Sequence, residues 1–162
     1  MKAVVIYENV EFADRVGAIL RRVASRAEIN IKWTVLRLSV DELSGKKFVG
    51  KALVRARDAH LIVVPAKLAQ SIPISLLGWL ERWAQARHNG EMALGILDDN
   101  TLGRAQAPMH PDLSEFAHKH GLAVIRDGSF LDLERRTAPH IELYRYGNFD
   151  QPGTNRSFGI ND

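Results

Sequence analysis

The sequence predicts an α/β protein: a doubly wound, five-stranded parallel sheet in the order 2-1-3-4-5, followed by a C-terminal extension. Three observations carry that prediction. Strand-like and helix-like segments alternate through the first two thirds of the chain, the pattern of βαβ units joined by right-handed crossovers. At least one strand, Leu61 to Val64, is apolar on both faces, which a parallel sheet covered by helices on each side demands. The composition is that of an average globular domain, with 162 residues, 46% hydrophobic and 25% charged. A chain of that length buries a large core and needs no staple.

Each element has its own signal. Ala3 to Tyr7 is a short β-branched run and reads as a buried first strand. Phe12, Val16, Ile19, Leu20, Val23 and Ala27 then recur at spacings of three and four, one apolar helix face. Ile29 to Leu38 reads as the second strand, with Ile29, Ile31, Trp33 and Val35 alternating. Phe48, Ala52, Leu53 and Ala56 mark a second, weaker helix, and Leu61 to Val64 a third strand that ends at Pro65. A third helix follows Pro73 and runs to about Arg87, with Leu76, Leu77, Leu80, Trp83 and Ala84 on its inner side. Met92 to Leu97 is the fourth strand, and Asp98 opens a polar connection. Pro111 to His120 makes the fourth helix, stopped by Gly121, and Leu122 to Ile125 the fifth strand.

Residues 1–126 therefore form the α/β domain and residues 127–162 the extension. Gly147, Pro152, Gly153, Asn155 and Gly159 give the extension a loop-forming composition. Tyr144, Tyr146, Phe149 and Phe158 make it too aromatic for a solvated linker. It is expected to pack on the domain or on a partner, and closure across a two-fold axis onto a second copy predicts a homodimer.

Composition excludes several kinds of chemistry. Without cysteine there is neither a disulfide framework nor a thiolate nucleophile or metal ligand. The N-terminus turns acidic at Glu8 and has no signal-peptide pattern, and the longest strongly apolar run, Leu61 to Ala66, is too short to span a bilayer. A cytoplasmic protein that does not enter a membrane is expected. The net charge of +3 is small, so nucleic acid is not an expected partner.

In an open α/β sheet, ligands bind beyond the carboxyl ends of the strands near the point where strand order reverses. Here that means Glu8 to Glu11, Pro65 to Pro73 and Asp98 to Pro111. The run Asp58-Ala59-His60-Leu61-Ile62-Val63-Val64-Pro65, with Ser71-Ile72-Pro73 after it, resembles flavodoxins and flavin mononucleotide reductases. That resemblance implies a flavin mononucleotide site and a role in reduction or electron transfer. The phosphate-wrapping loop of those families should be rich in Ser, Thr and Gly. This chain has Glu8-Asn9-Val10-Glu11-Phe12-Ala13-Asp14 in its place, and three carboxylates repel a dianion.

The same five-stranded pattern resembles the receiver domains of bacterial response regulators. That chemistry needs an acidic pair after strand one, a phosphoacceptor Asp ending strand three and a Lys ending strand five, so that Mg²⁺ and an ammonium neutralise the transferred phosphoryl group. Strand one ends here in Tyr7-Glu8, strand three in Pro65 and strand five in Ile125-Arg126. The scaffold is expected without the phosphorylation. A second stretch, Leu94 to Asn100 with Asp98 and Asp99, resembles the opening of a receiver. Too little chain follows Gly128 for such a unit, and it reads as a strand leading into an acidic turn.

Ile72-Pro73 through Leu77-Gly78-Trp79-Leu80-Glu81-Arg82-Trp83, with Ala59 to Val64 before it and Phe158 to Asp162 at the end, is similar to a group of uncharacterised bacterial proteins. The resemblance implies a link to two-component signalling and supplies no catalytic motif. The histidines have no helical metal-ligand spacing, since His118 and His120 point to different faces. No Gly-x-Ser-x-Gly, Walker or Gly-x-Gly-x-x-Gly motif is present.

Two surface features remain. Arg15, Arg21, Arg22 and Arg26 are expected opposite the apolar stripe of the first helix, forming a basic face for an acidic protein partner. Trp83 falls on the core side of the third helix, whereas Trp79 falls off its centre, where a half-exposed Trp would mark a binding surface. The sequence thus predicts a non-enzymatic regulatory or interaction protein with an unidentified protein partner and no cofactor. Its interaction residues are Arg15, Arg22, Arg26, Trp79, Tyr144, Tyr146 and Phe158. The alternative is a flavin mononucleotide-binding reductase or electron carrier.

Overall fold

A computed structural model describes residues 1–26, 32–88, 90–98 and 108–126. Five strands form one parallel sheet: β1 (Lys2–Tyr7), β2 (Thr34–Ser39), β3 (Leu61–Pro65), β4 (Ala93–Leu97) and β5 (Ala123–Arg126). Their order is β2-β1-β3-β4-β5, as the alternating pattern predicts. Among the described residues the helices are α1 (Val10–Arg26), α2 (Val40–Ser44), α3 (Lys46–Ala56), α4 (Ala66–Gln70), α5 (Ile74–Ala86) and α6 (Pro111–Lys119). None of them is long and apolar enough to cross a membrane.

Side chains of successive strand residues point to opposite faces, so each strand feeds two cores. Val4, Ile6, Leu36, Leu38, Ile62, Val64, Leu94, Ile96 and Val124 point to the side covered by α2, α3, α5 and α6. Ala3, Val5, Leu61, Val63 and Leu97 point the other way, against Phe12, Ala13, Val16, Ile19 and Leu20 of α1. Every residue of β3 is buried, the signature of a central parallel strand. Gly95 sits where β4 presses closest on β3. A Cβ there would lie 3.3 Å from Val63 Cγ2 and 3.5 Å from Leu61 Cδ1, so only glycine lets the two strands carry those branched neighbours unchanged.

Helix ends follow local chemistry. The Ser39 hydroxyl accepts from the amide of Glu42 at 3.1 Å, and the Glu42 carboxylate accepts from the amide of Ser39 at 2.9 Å, a capping box that starts α2. At the start of α6, His110 Nδ1 accepts from the amide of Asp112 and Pro111 occupies the first turn. The same helix ends at Gly121, whose φ of 63° lies in the left-handed region. Its amide and that of Leu122 donate back to the carbonyls of His118 and Ala117, closing a Schellman motif before β5 begins.

Three elements differ from the sequence reading. The first part of the expected second strand, Ile29 to Ile31, lies outside the described residues, and β2 begins at Thr34. Ala66 to Gln70, read as a loop, is the short helix α4, with Pro65 as its N-terminal boundary residue. Phe48, read as part of the apolar pattern of the second helix, is 52% exposed. The inward stripe of α3 runs through Val49, Ala52, Leu53 and Ala56, and Phe48 sits at its outer margin.

Candidate functional site

The carboxyl edge of the sheet is the place to seek a site in this fold. The ladder between β1 and β3 runs only from Ala3↔Leu61 to Val5↔Val63. By contrast, β1 pairs with β2 through Tyr7↔Ser39, and β3 with β4 through Pro65↔Leu97. The two strands at the switch point therefore part before they end. Proline removes one amide at the tip of β3, and α4 starts at the next residue.

Among the described residues, α1 and the end of β4 meet at this edge. Arg15 Nη2 donates to the backbone carbonyl of Asp98, just past the end of β4. The Arg15 guanidinium also lies 5.6 Å from the centroid of the Phe12 ring, a cation–π contact within one turn. Asp98 is the only buried polar or charged side chain among the described residues. The start of α1 is served by the chain itself. Asn9 Oδ1 accepts from the amide of Glu11 at 3.0 Å, and the Asn9 carbonyl accepts from that of Phe12 at 3.1 Å. Glu8 and Glu11 stand exposed on either side, and Asp14 pairs with Arg37 of β2. Two of the amides that an anion would need here, those of Glu11 and Phe12, are thus already engaged, and exposed carboxylates flank them.

A second charged cluster lies at the opposite, amino edge, between α5 and α6. Glu81 Oε2 is 2.8 Å from His120 Nε2 and 3.1 Å from Lys119 Nζ. The His120 ring is tilted against Phe116 at a centroid distance of 5.0 Å, and Arg87 Nη2 donates to the His120 carbonyl at 2.9 Å. The His120 hydrogen bond holds the Glu81 carboxyl below its ordinary range, with Lys119 adding to the effect and burial opposing it. Each group in the cluster has a partner, and its geometry ties two neighbouring helices together.

The interaction residues expected from sequence separate into three sets. Arg15, Arg22 and Arg26 share one stripe of α1, at spacings of seven and four. Arg22 and Arg26 are exposed, but Arg15 is half-buried at the sheet edge rather than presented on an outer face. Trp79 is a correction: it is fully buried, so it offers no binding surface. Helix α5 is flanked by α3 on one side and α6 on the other, and this widens its buried arc beyond the Leu76–Leu80–Trp83 stripe. Tyr144, Tyr146 and Phe158 lie outside the described residues.

Sequence reading missed an exposed surface formed by α3 and the start of α5. Lys46, Lys47, Lys51 and Arg55 are all exposed on α3, together with Phe48 at 52% and Val54 at 64%. Ile74, the first residue of α5, is 90% exposed. The available signal was the density of Lys and Arg in Lys46–Ala56 without a carboxylate among them. Compared with protein-family models, with curated proteins and with solved structures, the chain has no match.

Proposed function

We propose that this protein is a non-enzymatic regulatory or interaction protein of the cytoplasm, built on a receiver-like scaffold that lacks the phosphoacceptor aspartate and linked to two-component signalling. The observation that carries this reading is the end of β3. A receiver needs a carboxylate there, held in the open to take a phosphoryl group. Here the position is Pro65, buried, and it passes directly into α4 through buried Ala66. Neither side chain has an atom that can accept a phosphoryl group or hold Mg²⁺. The contact from Arg15 to the Asp98 carbonyl spans the neighbouring strand end, which supports a structural use of the edge. The protein acts as a homodimer, with the residues after Gly128 contributing most of the interface.

The test is an amide NMR titration of the full-length protein with beryllofluoride and Mg²⁺, followed by one with flavin mononucleotide. Neither ligand is expected to produce saturable shifts at Tyr7 to Asn9, Ala66 to Ala69 or Asp98. Shifts with beryllofluoride would restore phosphorylation to the scaffold. Quenching of flavin fluorescence at micromolar protein would favour the reductase or electron carrier. Light scattering of the full chain at tens of micromolar, about where an interface of ordinary size holds, is expected to give a dimer mass.

A further inference from the structure

We propose that the surface formed by α3 and the N-terminal end of α5 docks an acidic, apolar-anchored segment of a partner protein. This inference rests on the reading of the protein as an interaction module and names the chemistry of its partner.

The charge comes from α3. Lys46, Lys47, Lys51 and Arg55 are exposed, and among the described residues none of them is engaged by a carboxylate. The helix itself has no acidic residue. Eleven residues rising about 1.5 Å each put these cations within about 16 Å, so their fields add within a Debye length or two. The nearby acids are Asp41 and Glu42 on α2 and Asp58 after α3. Glu42 is engaged by Ser39, and Asp58 lies near Arg57 and His88. The surplus on this face is positive.

The anchors are apolar and unusually open. The Phe48 ring lies beside Gly45, where a Cβ would be 3.8 Å from its Cδ2. Ser44, next in the chain, has its Oγ 3.3 Å from that of Ser75, and Ile74 precedes Ser75 with 90% of its surface exposed. Phe48 and Ile74 thus bracket a small serine bridge that joins α2 to α5. Burying two such side chains in a partner removes apolar surface from water at both ends of the contact, which makes them the anchors.

Geometry selects a peptide segment over other anionic partners. Around α3, Phe48 and Val54 are six residues apart, about 120° on a helical wheel with the Lys47–Lys51 row between them. The Lys47–Lys51 row interrupts the arc between them, so the helix has no continuous apolar face of the kind that enters a bilayer. A chain can lie along the Phe48–Ile74 line with its carboxylates over the lysines. Ile74 offers a nucleic acid neither charge nor a stacking face.

The experiment is selection of a random displayed peptide library on the full-length protein, with binding of the enriched peptides then measured on three variants. The proposal expects peptides that combine Asp or Glu with Leu, Ile or Phe. It expects affinity to fall about tenfold or more in K47E/K51E and by a similar factor in I74S, with K32E, at an exposed lysine outside the surface, unchanged. All of these residues are exposed, so the variants are expected to fold, and circular dichroism checks this. Enrichment of basic or uncharged peptides would overturn the proposal, as would binding insensitive to K47E/K51E and I74S. Two further results also overturn it: tighter sedimentation with phosphatidylserine vesicles than with the selected peptides, or a dimer that dissociates in the same variants. A peptide that binds at another face defeats this inference alone. Saturable beryllofluoride shifts defeat the parent reading.

Discussion

Trp83 donates its indole N–H to the carbonyl of Ala56, 2.8 Å away, and so pins α5 to the last turn of α3. One turn earlier on the same helix, Trp79 is equally buried, yet its Nε1 has no hydrogen-bond partner among the described residues. A buried donor left unpaired costs about 1–3 kcal/mol, whereas a paired one contributes about 1 kcal/mol net. Replacing each indole by phenyl removes the same atoms from the same core. W83F is therefore expected to be less stable than W79F by about 2 kcal/mol in urea unfolding. Equal losses would mean that the hydrogen bond to Ala56 carries no weight.

Glycine substitutions should divide sharply by site. At Gly95 a methyl group meets Val63 and Leu61 inside the core, and overpacking of that kind costs about 1–3 kcal/mol. At Gly78, on the exposed side of α5, nothing lies within 4 Å of the added Cβ. G78A is expected to stabilise by about 0.5–1 kcal/mol, through reduced backbone freedom of the unfolded chain. Thermal unfolding of the two variants should therefore shift in opposite directions.

The Glu81 cluster predicts a dependence on acid. Hydrogen bonding by His120, aided by Lys119, holds the folded-state carboxyl below its ordinary value of 4.5. The ionised form is thus favoured by folding. The contribution is complete above 4.5 and disappears as pH falls through the lowered folded value. The group is partly exposed, so the effect should stay below about 1 kcal/mol. The stability difference between wild type and E81Q, followed by urea titration from pH 6 to pH 3, is expected to shrink on acidification. A difference that holds constant or grows would contradict the assignment.

Arg15 gives the fourth prediction. R15A removes the donor to the Asp98 carbonyl and the contact with Phe12. A loss of about 1.5–3 kcal/mol is expected, the range for a hydrogen bond to a charged group. Amide shifts should move at Asp98 and Phe12, while those at Ser44 and Ser75 on the far face stay in place.

Much of the fold was legible because it rests on periodicity. The apolar runs of β1, β3, β4 and β5 and the stripe of α1 are long enough to read without tertiary context, and their alternation predicts the parallel order that is found. The short helices were not legible. Helix α2 has five residues and depends on the Ser39–Glu42 capping box, and α4 begins at the residue after a proline. The burial of Trp79 depends on helices on both sides of α5, which no single-helix pattern reports. The Arg15–Asp98 contact joins residues 83 apart in sequence, so local spacing holds no trace of it. The basic face of α3 is written in its Lys and Arg residues, but the weak apolar stripe of the helix reports only its inner side.

The early end of the β1–β3 ladder makes the sheet a jointed plate. On one side, β2 and β1 are bonded along six residue pairs; on the other, β3 and β4 along five. Only three pairs, from Ala3↔Leu61 to Val5↔Val63, weld the two halves, all toward the amino edge. A load applied at the carboxyl edge therefore meets a seam, not a continuous weave. The fasteners across the open end are side chains and short helices, and these can be changed without cutting a strand.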